Sequence, residues 1–569
     1  MSIDEMNATY SHQSDTHAQE TSSNDCRIDG QKLKELLIAG MTWLKTNQQV
    51  VNALNVFPVP DGDTGTNMLL TMQAAYNEVA NSGEGNIGRM AKAIAQGALM
   101  GARGNSGVIL SQIWRGFARA LDNFDTMDAD LFVAAMQEGQ NTAYKGVVRP
   151  VEGTILTVAK DAAEAARKAR EKTSDLKEIL AAVVDAANES VKKTPELLPI
   201  LKQAGVVDSG GKGLFFILEG MLRHLNGQSL ETNLNIVQPL STMQIEQTVE
   251  EIEPGQEVEV VIDFRPHQPL NLEQFYADLS EMGTSIQVGE GDGMYRMHIH
   301  VSQERQYDPI QYIAKIGVWS KIAMENLLAQ MEERSSTAVE APRLELASVL
   351  PGQVGVVAVS PGPGISRVFA SLGVSAIVEG GQTMNPSTEQ ILNAFENLPT
   401  DKIIILPNNK NIILAAQNAA SVTVKKVEVI PSRSIPQGLA AMFRYNPEAE
   451  LSELVDEMKE AIGEVHTGEI TTATRSVNLN GVDVQEGAVI GLLDGTLVVS
   501  SNTLEDACLQ LLEKAQADEY DLITMFYGEN ISHSEANRIA DLVREKYPQQ
   551  ELELKEGGQP HYQFIIGIE

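Results

Sequence analysis

The sequence predicts a multidomain chain: an all-α bundle, then a small α+β domain, then an α/β domain. Three observations carry this. Apolar residues recur at helical spacing from about residue 31 to residue 226, interrupted by four glycine-rich turns. At Glu257 the texture switches to the β-branched alternation EVEVVIDF. From about Gln353, strand-like and helix-like stretches alternate, which is the pattern of a parallel sheet. At 569 residues the chain is also too long for a single core.

Composition narrows the function classes. The chain is 43% hydrophobic and 21% charged, as globular domains are. No apolar run reaches the roughly 18 residues of a membrane span. The N-terminus lacks a signal pattern, so a cytoplasmic location is the expectation. A net charge of −34 repels nucleic acid and anionic membrane surfaces. It would repel a nucleotide too, unless a cation neutralises the site locally. The two cysteines, Cys26 and Cys508, offer neither a disulfide framework nor zinc spacing.

In chain order, residues 1–30 are polar and read as a disordered tail. A helical domain follows over residues 31–226. Leu33, Leu36, Leu37, Met41 and Leu44 mark its first helix, and Met90, Ile94 and Leu99 mark another over Ile87–Met100. Between them lies NALNVFPVPDGDTGTNM, Asn52–Met68. Asp61 and Asp63 stand two apart across Gly62, so both carboxylates can converge on one cation. Hard oxygen donors of this kind suit Mg²⁺. Thr64, Gly65 and Asn67 lie where Met68 begins the next helix, and free N–H groups at a helix start favour anions. An ordinary turn with an N-cap would use the same residues.

Three more glycine-rich turns precede helices. GARGNSGVIL, Gly101–Leu110, offers the backbone N–H groups of Gly104, Asn105, Ser106 and Gly107 to phosphate, with Val108 opening the helix. Arg103 can neutralise charge that develops during transfer. It is no Walker A loop, since no Lys-Ser/Thr follows the glycines; close helix packing would also explain them. Thr154, after Glu152-Gly153, either caps the next helix or touches nucleotide, and capping is favoured. Asp208 lies in GVVDSGGKG, a turn before a very apolar helix, and reads as a turn residue.

Residues 227–255 read as a linker. The domain over 256–331 has strands at Glu257–Phe264, Ser285–Val288 and Met294–Val301, a helix at Leu272–Met282 and a closing helix near Ile313–Gln330. His298 and His300 share one strand face. Residues 332–351 are a second linker. The last domain, 352–569, opens with the strand Val354–Val359. It carries NNKN, Asn408–Asn411, after a strand, where open α/β sheets bind ligands; those side chains would equally cap a helix.

The stretch LNVFPVPDGDTGTNM closely resembles the metal loop of DhaL-type kinases, the nucleotide-binding half of dihydroxyacetone kinases. Its form is similar to that of the fatty acid kinase catalytic subunit (FakA-like) family, as is that of Gly101–Phe117. The last domain resembles the DegV-like half of the same family. The resemblance implies a DhaL-type helical barrel with ATP and one or two Mg²⁺ at its rim, then the α+β domain, then a DegV-like α/β domain. Asp61 and Asp63 would hold the metal; Asn55 is a third candidate ligand, where other DhaL proteins carry an acidic residue nearby. The segment around Asp208 would lie near the nucleotide, with Asp208 an acceptor for base or ribose. Some family members complete a zinc site beside the paired histidines with a cysteine. The matching position is Val261, which argues against zinc at His298 and His300.

The implied activity is transfer of the γ-phosphate of ATP to a fatty acid carboxylate, giving an acyl phosphate. The acid would be presented by a DegV-type fatty-acid-binding carrier protein (FakB-like). No base stands near the motifs, and a carboxylate needs none, being ionised already. A glycerone-type kinase acting on a hydroxyl and a non-catalytic nucleotide-binding regulator are the alternatives. The sequence leaves a homodimer open.

Overall fold

The structure is a computed structural model. It describes residues 27–55, 62–147, 149–230, 238–239, 257–291, 294–326, 344–382, 384–473, 476–479 and 481–569. The chain forms two compact units, one of residues 1–230 with 344–569 and the other of residues 231–343.

Among the described residues of the first unit, ten helices precede residue 226: α1 Gly30–Thr46, α2 Gln48–Leu54, α3 Thr64–Val79, α4 Ile87–Met100, α5 Gly104–Ala120, α6 Ala129–Lys145, α7 Ile155–Arg170, α8 Leu176–Leu197, α9 Pro199–Ala204 and α10 Ser209–Leu225. Side-chain caps start several of them: Asp29 accepts from Lys32 N at 2.8 Å, Asn86 from Arg89 N at 2.9 Å and Asp128 from Leu131 N at 3.0 Å. From α3 to α8 each helix packs on the next, α8 packs on α10, and α10 returns to α1. That ring is the expected helical barrel. Leu37, Met68, Met72, Ile94, Val158 and Val183 fill its core, and an apolar cavity lies among Leu33, Leu110, Trp114, Phe117, Leu180 and Ile217.

Three boundaries differ from the sequence reading. Residues 1–26 of the tail lie outside the described residues, but its last residues are built in: Ile28 is buried and bridges Met127, and Asp29 caps α1. Helix α3 starts at Thr64 rather than at Met68. Helix α5 starts at Gly104 rather than at Val108, so Asn105, Ser106 and Gly107 form its first turn. Small polar residues and glycine lack the apolar spacing that marks a helix, yet tolerate a first turn well.

The same unit holds the C-terminal domain. Strands β6 Val354–Ser360, β7 Ala376–Glu379, β8 Lys402–Leu406 and β9 Lys426–Val429 form an all-parallel sheet in the order β7-β6-β8-β9. Every residue of β6 is buried, as a central parallel strand requires. A second, six-stranded sheet uses His466–Thr472, Val489–Leu493, Thr496–Ser501, Leu522–Tyr527, Glu551–Glu556 and Phe564–Ile568. Cys508 is buried against it among Ile470, Leu511 and Leu512, and burial pushes its thiol pKa up.

The other unit is a five-stranded sheet. Its strands are β1 Gln238–Pro239, β2 Val258–Pro266, β3 Thr284–Gly291, β4 Met294–Val301 and β5 Gly317–Asn326, in the order β1-β3-β4-β2-β5. Helices Leu272–Ser280 and Asp308–Ile316 accompany it. Two expectations are corrected. The closing helix over Ile313–Gln330 ends at Ile316, because Gly317 turns to extended backbone and 317–326 pairs antiparallel along β2. Ile322 and Met324, two apart, pack on the sheet's core. Gln238–Pro239, placed in the first linker, pairs with β3. The rest of both linker spans lies largely outside the described residues. Among the described residues no helix is long and apolar enough to cross a membrane.

Candidate functional site

The four glycine-rich turns converge. The first and fourth meet where the Ser209 hydroxyl donates to Thr64 Oγ1 at 3.2 Å. The first and second meet at Gly104, whose positive φ of +56° sets its Cα beside the Asn67 carboxamide. The second and fourth meet where Gly210 approaches Ser106 Oγ, and Gly210 also lies against Ile155 of the third.

Asp63 occupies the N-cap position of α3, yet its carboxylate makes no capping bond. Asn52 does that work from the preceding helix: its Oδ1 accepts from Gly65 N at 2.7 Å and from Thr66 N at 3.2 Å. The Asp63 carboxylate, buried at 6% exposure, instead accepts from Asn55 Nδ2 at 3.3 Å and from Asn385 Nδ2 at 2.5 Å. Asn55, the third candidate ligand, stands beside Asp63. Asp61 lies outside the described residues. These are oxygen-rich, hard donors, and they fit Mg²⁺.

Arg103 is the N-cap of α5 and donates from Nη1 to the Asn385 carbonyl at 3.0 Å. Burial pushes its guanidinium pKa down, and among the described residues no carboxylate pairs with it. A half-buried cation at a helix N-terminus is a place for an anion. Asn105 donates from Nδ2 to Asn411 Oδ1 at 3.2 Å.

The other predicted residues divide between roles. Thr154 is the N-cap of α7, accepting from Leu156 N at 3.4 Å and donating to Val151 O at 2.7 Å. Asp208 is the N-cap of α10, accepting from Gly211 N at 2.6 Å, and burial raises its pKa to about 6. Gly107 packs tightly on α3: a Cβ there would lie 2.4 Å from Thr71 Oγ1. The nearby Lys212 amine sits over the rings of Phe215 and Phe216, at 4.3 and 4.7 Å. In the NNKN turn, Asn408 is buried and donates to Val359 O at 2.9 Å.

Sequence reasoning missed Asn52 and Asn385; Asn411 lies in the NNKN turn that it did single out. Asn52 carries a weak signal, a polar side chain one turn before the metal loop. Asn385 lies 322 residues from Asp63 and carries none. Sequence reasoning also missed Glu259. The sheet register sets Glu259 opposite His300 and Val261 opposite His298. Glu259, His298 and His300 bring ligand atoms within 4.8 Å of one another, so a third donor could come from this carboxylate instead of a residue at Val261. His298 Nε2 lies 2.9 Å from Glu259 Oε1 without hydrogen-bond alignment, and His298 holds the Glu259 pKa below its ordinary value. Two imidazoles and a carboxylate fit zinc.

Comparison with known proteins agrees along the chain. Residues 58–223 match the DAK2 domain, residues 253–334 the middle domain of the FakA-like fatty acid kinases, and residues 355–569 the C-terminal domain of the same FakA-like proteins. Protein YloV of Bacillus subtilis (strain 168) is 40% identical over 554 residues, covering 95% of this chain and 99% of the relative. An uncharacterized protein of Staphylococcus aureus (strain MRSA252) is 37% identical over 552 residues, covering 95% and 100%.

Solved structures give weaker likenesses. A dihydroxyacetone kinase from C. freundii in complex with AMP-PNP and Mg²⁺ has a TM-score of 0.27 at 17% identity, over 34% of this chain and 33% of that one. A fatty-acid-binding DegV family protein from Thermus thermophilus has a TM-score of 0.29 at 15% identity, over 38% and 99%. Scores this low establish neither fold nor function. The three consecutive family matches and the full-length relatives do settle the lineage: the chain belongs to the FakA-like fatty acid kinase family, and its helical domain is a kinase-related one.

Proposed function

We propose that the helical domain transfers the γ-phosphate of ATP to the carboxylate of a fatty acid presented by a separate carrier protein. One observation carries this reading. The Asp63 carboxylate, relieved of capping by Asn52, shares the residue Asn385 with the half-buried Arg103, which pairs with no carboxylate among the described residues. An acidic group for a cation and a cation for a phosphate thus stand at two adjacent helix N-termini.

Asp63, with Asp61 and Asn55, would hold Mg²⁺, which when bound neutralises charge on the β- and γ-phosphates. The first turn of α5 would hold the phosphate tail through Gly104, Asn105, Ser106 and Gly107, and Arg103 would offset charge that builds on the transferring group. Thr64, Gly65, Asn67, Thr154 and Asp208 would line the nucleotide's approach. A carboxylate oxygen attacks the γ-phosphorus, the bond to the β-phosphate oxygen breaks, and ADP leaves with that electron pair. No proton has to be removed, so the lack of a histidine in the four turns is no obstacle.

A long-chain acid is poorly soluble, which supports a carrier, as does the family's description as one component of a fatty acid kinase. The test is incubation with γ-labelled ATP, carrier and each candidate acceptor, followed by hydroxylamine, which traps an acyl phosphate as the hydroxamate. The expected result is hydroxamate with carrier present and little without it. A phosphate monoester of dihydroxyacetone with no hydroxamate would establish the glycerone-type reading instead.

A further inference from the structure

The C-terminal domain does not merely adjoin the kinase domain; it reaches into the site. Ala102 and Val108, either side of the start of α5, belong to one buried apolar cluster with Val357, Val359 and Ile391 of the C-terminal domain. Thr388 N donates to Ala102 O at 3.2 Å, and Asn411 accepts from Asn105. Between these contacts the loop after β7 delivers Asn385.

Asn385 is placed with care. Gly380 N donates to Ser360 O at 3.1 Å on one side of it. On the other, Ser387 and Gln390 form a reciprocal capping box that starts the helix Thr388–Glu396. The residue is 2% exposed. Its Nδ2 donates to Asp63 and its carbonyl accepts from Arg103. Its Oδ1 is buried and has no partner among the described residues. An amide that served only to join two domains would be expected to satisfy both ends, because a buried acceptor without a donor or cation is costly. Here one end grips the candidate metal carboxylate and the other is left for a ligand.

We propose that Asn385 is a positioning residue of the phosphoryl-transfer site, supplied by the C-terminal domain. It orients Asp63 through Nδ2 and Arg103 through its backbone carbonyl, so that the site is complete only when the two domains are docked. This rests on the reading of Asp63 as a metal ligand. Groups that hold a ligating carboxylate typically change metal affinity by roughly 10–100-fold when removed.

The test is Mn²⁺ affinity of the full chain, read from the loss of the free-ion electron paramagnetic resonance signal, with and without ADP. Asn385→Ala and Asn385→Leu, the second keeping asparagine's branching without its hydrogen bonds, are compared with Thr388→Val. That control lies in the same interface and removes only a hydroxyl that has no partner among the described residues. The expected result is weaker Mn²⁺ binding by roughly tenfold or more in whichever Asn385 variants fold, and unchanged binding in Thr388→Val. Unchanged affinity in the Asn385 variants, or an equal loss in Thr388→Val, overturns the proposal. Asp63→Asn separates the two readings. If it abolishes Mn²⁺ binding while the Asn385 variants keep it, the role of Asn385 falls and the kinase site stands. If Asp63→Asn binds Mn²⁺ as wild type does, the metal reading itself falls.

Discussion

Ser209 and Thr64 join hydroxyl to hydroxyl at 3.2 Å, across 145 residues of sequence. The bond ties the start of α3 to the start of α10, and so closes the ring of turns on itself. Ser209→Ala should cost about 1 kcal/mol, the net value of one such bond. The check is a lowered melting midpoint that Ser209→Thr, which keeps the hydroxyl, partly restores.

Asp208 makes stability depend on pH. Its folded pKa of about 6 lies above the ordinary 3.8 because burial disfavours the charged form. A carboxyl raised in this way contributes stability that is fully present below its unfolded pKa and lost as pH rises through the folded one. The loss is up to about 3 kcal/mol. Asn in its place still caps a helix. Asp208→Asn should therefore gain on wild type as melts are taken from about pH 4 to about pH 7.5. Parallel melting curves for the two proteins over that range would contradict the assignment.

Gly107 has a packing role whatever it does for phosphate. An alanine Cβ would meet Thr71 Oγ1 at 2.4 Å and the Asn67 carbonyl at 3.2 Å. Gly107→Ala should destabilise by about 1–3 kcal/mol, the usual cost of overpacking. A smaller partner at the contact, Thr71→Ala, should recover part of the loss in a double-mutant comparison of melting midpoints.

Much of the fold was legible because its signals are local. Met90, Ile94 and Leu99 give α4 its face, and the predicted Ile87–Met100 is the observed helix. Met294–Val301 is likewise the observed strand. The failures share a cause. Residues 317–326 carry enough helix formers to read as a helix, and only the open edge of β2 makes them a strand. The site splits in the same way. Asp63, Asn55, Arg103 and the turns announce themselves through glycine spacing and turn residues. Asn385 sits in GGQTMNPS, a stretch that reads as an ordinary loop, and its importance comes from domain docking that no local pattern encodes.

The Glu259, His298 and His300 cluster offers three donors on one sheet face. Zn²⁺ should raise the melting midpoint of the wild-type chain, since a ligand bound only by the folded state stabilises it. His298→Ala should lose that response. Co²⁺ in its place should give the visible absorption of a low-symmetry site. A wild-type melt indifferent to Zn²⁺ would show that these residues are strand histidines with an acidic neighbour.

The most direct test of the central claim is hydroxamate formation by Asp63→Asn with saturating ATP, Mg²⁺, carrier and fatty acid. The substitution keeps the side-chain shape, removes one charge, and turns one of the two oxygens that accept from Asn55 and Asn385 into a donor. The predicted result is a folded protein whose rate falls by at least about 10²-fold, as when a charge-stabilising group is lost from a transfer site. A variant that turns over at the wild-type rate would contradict the account.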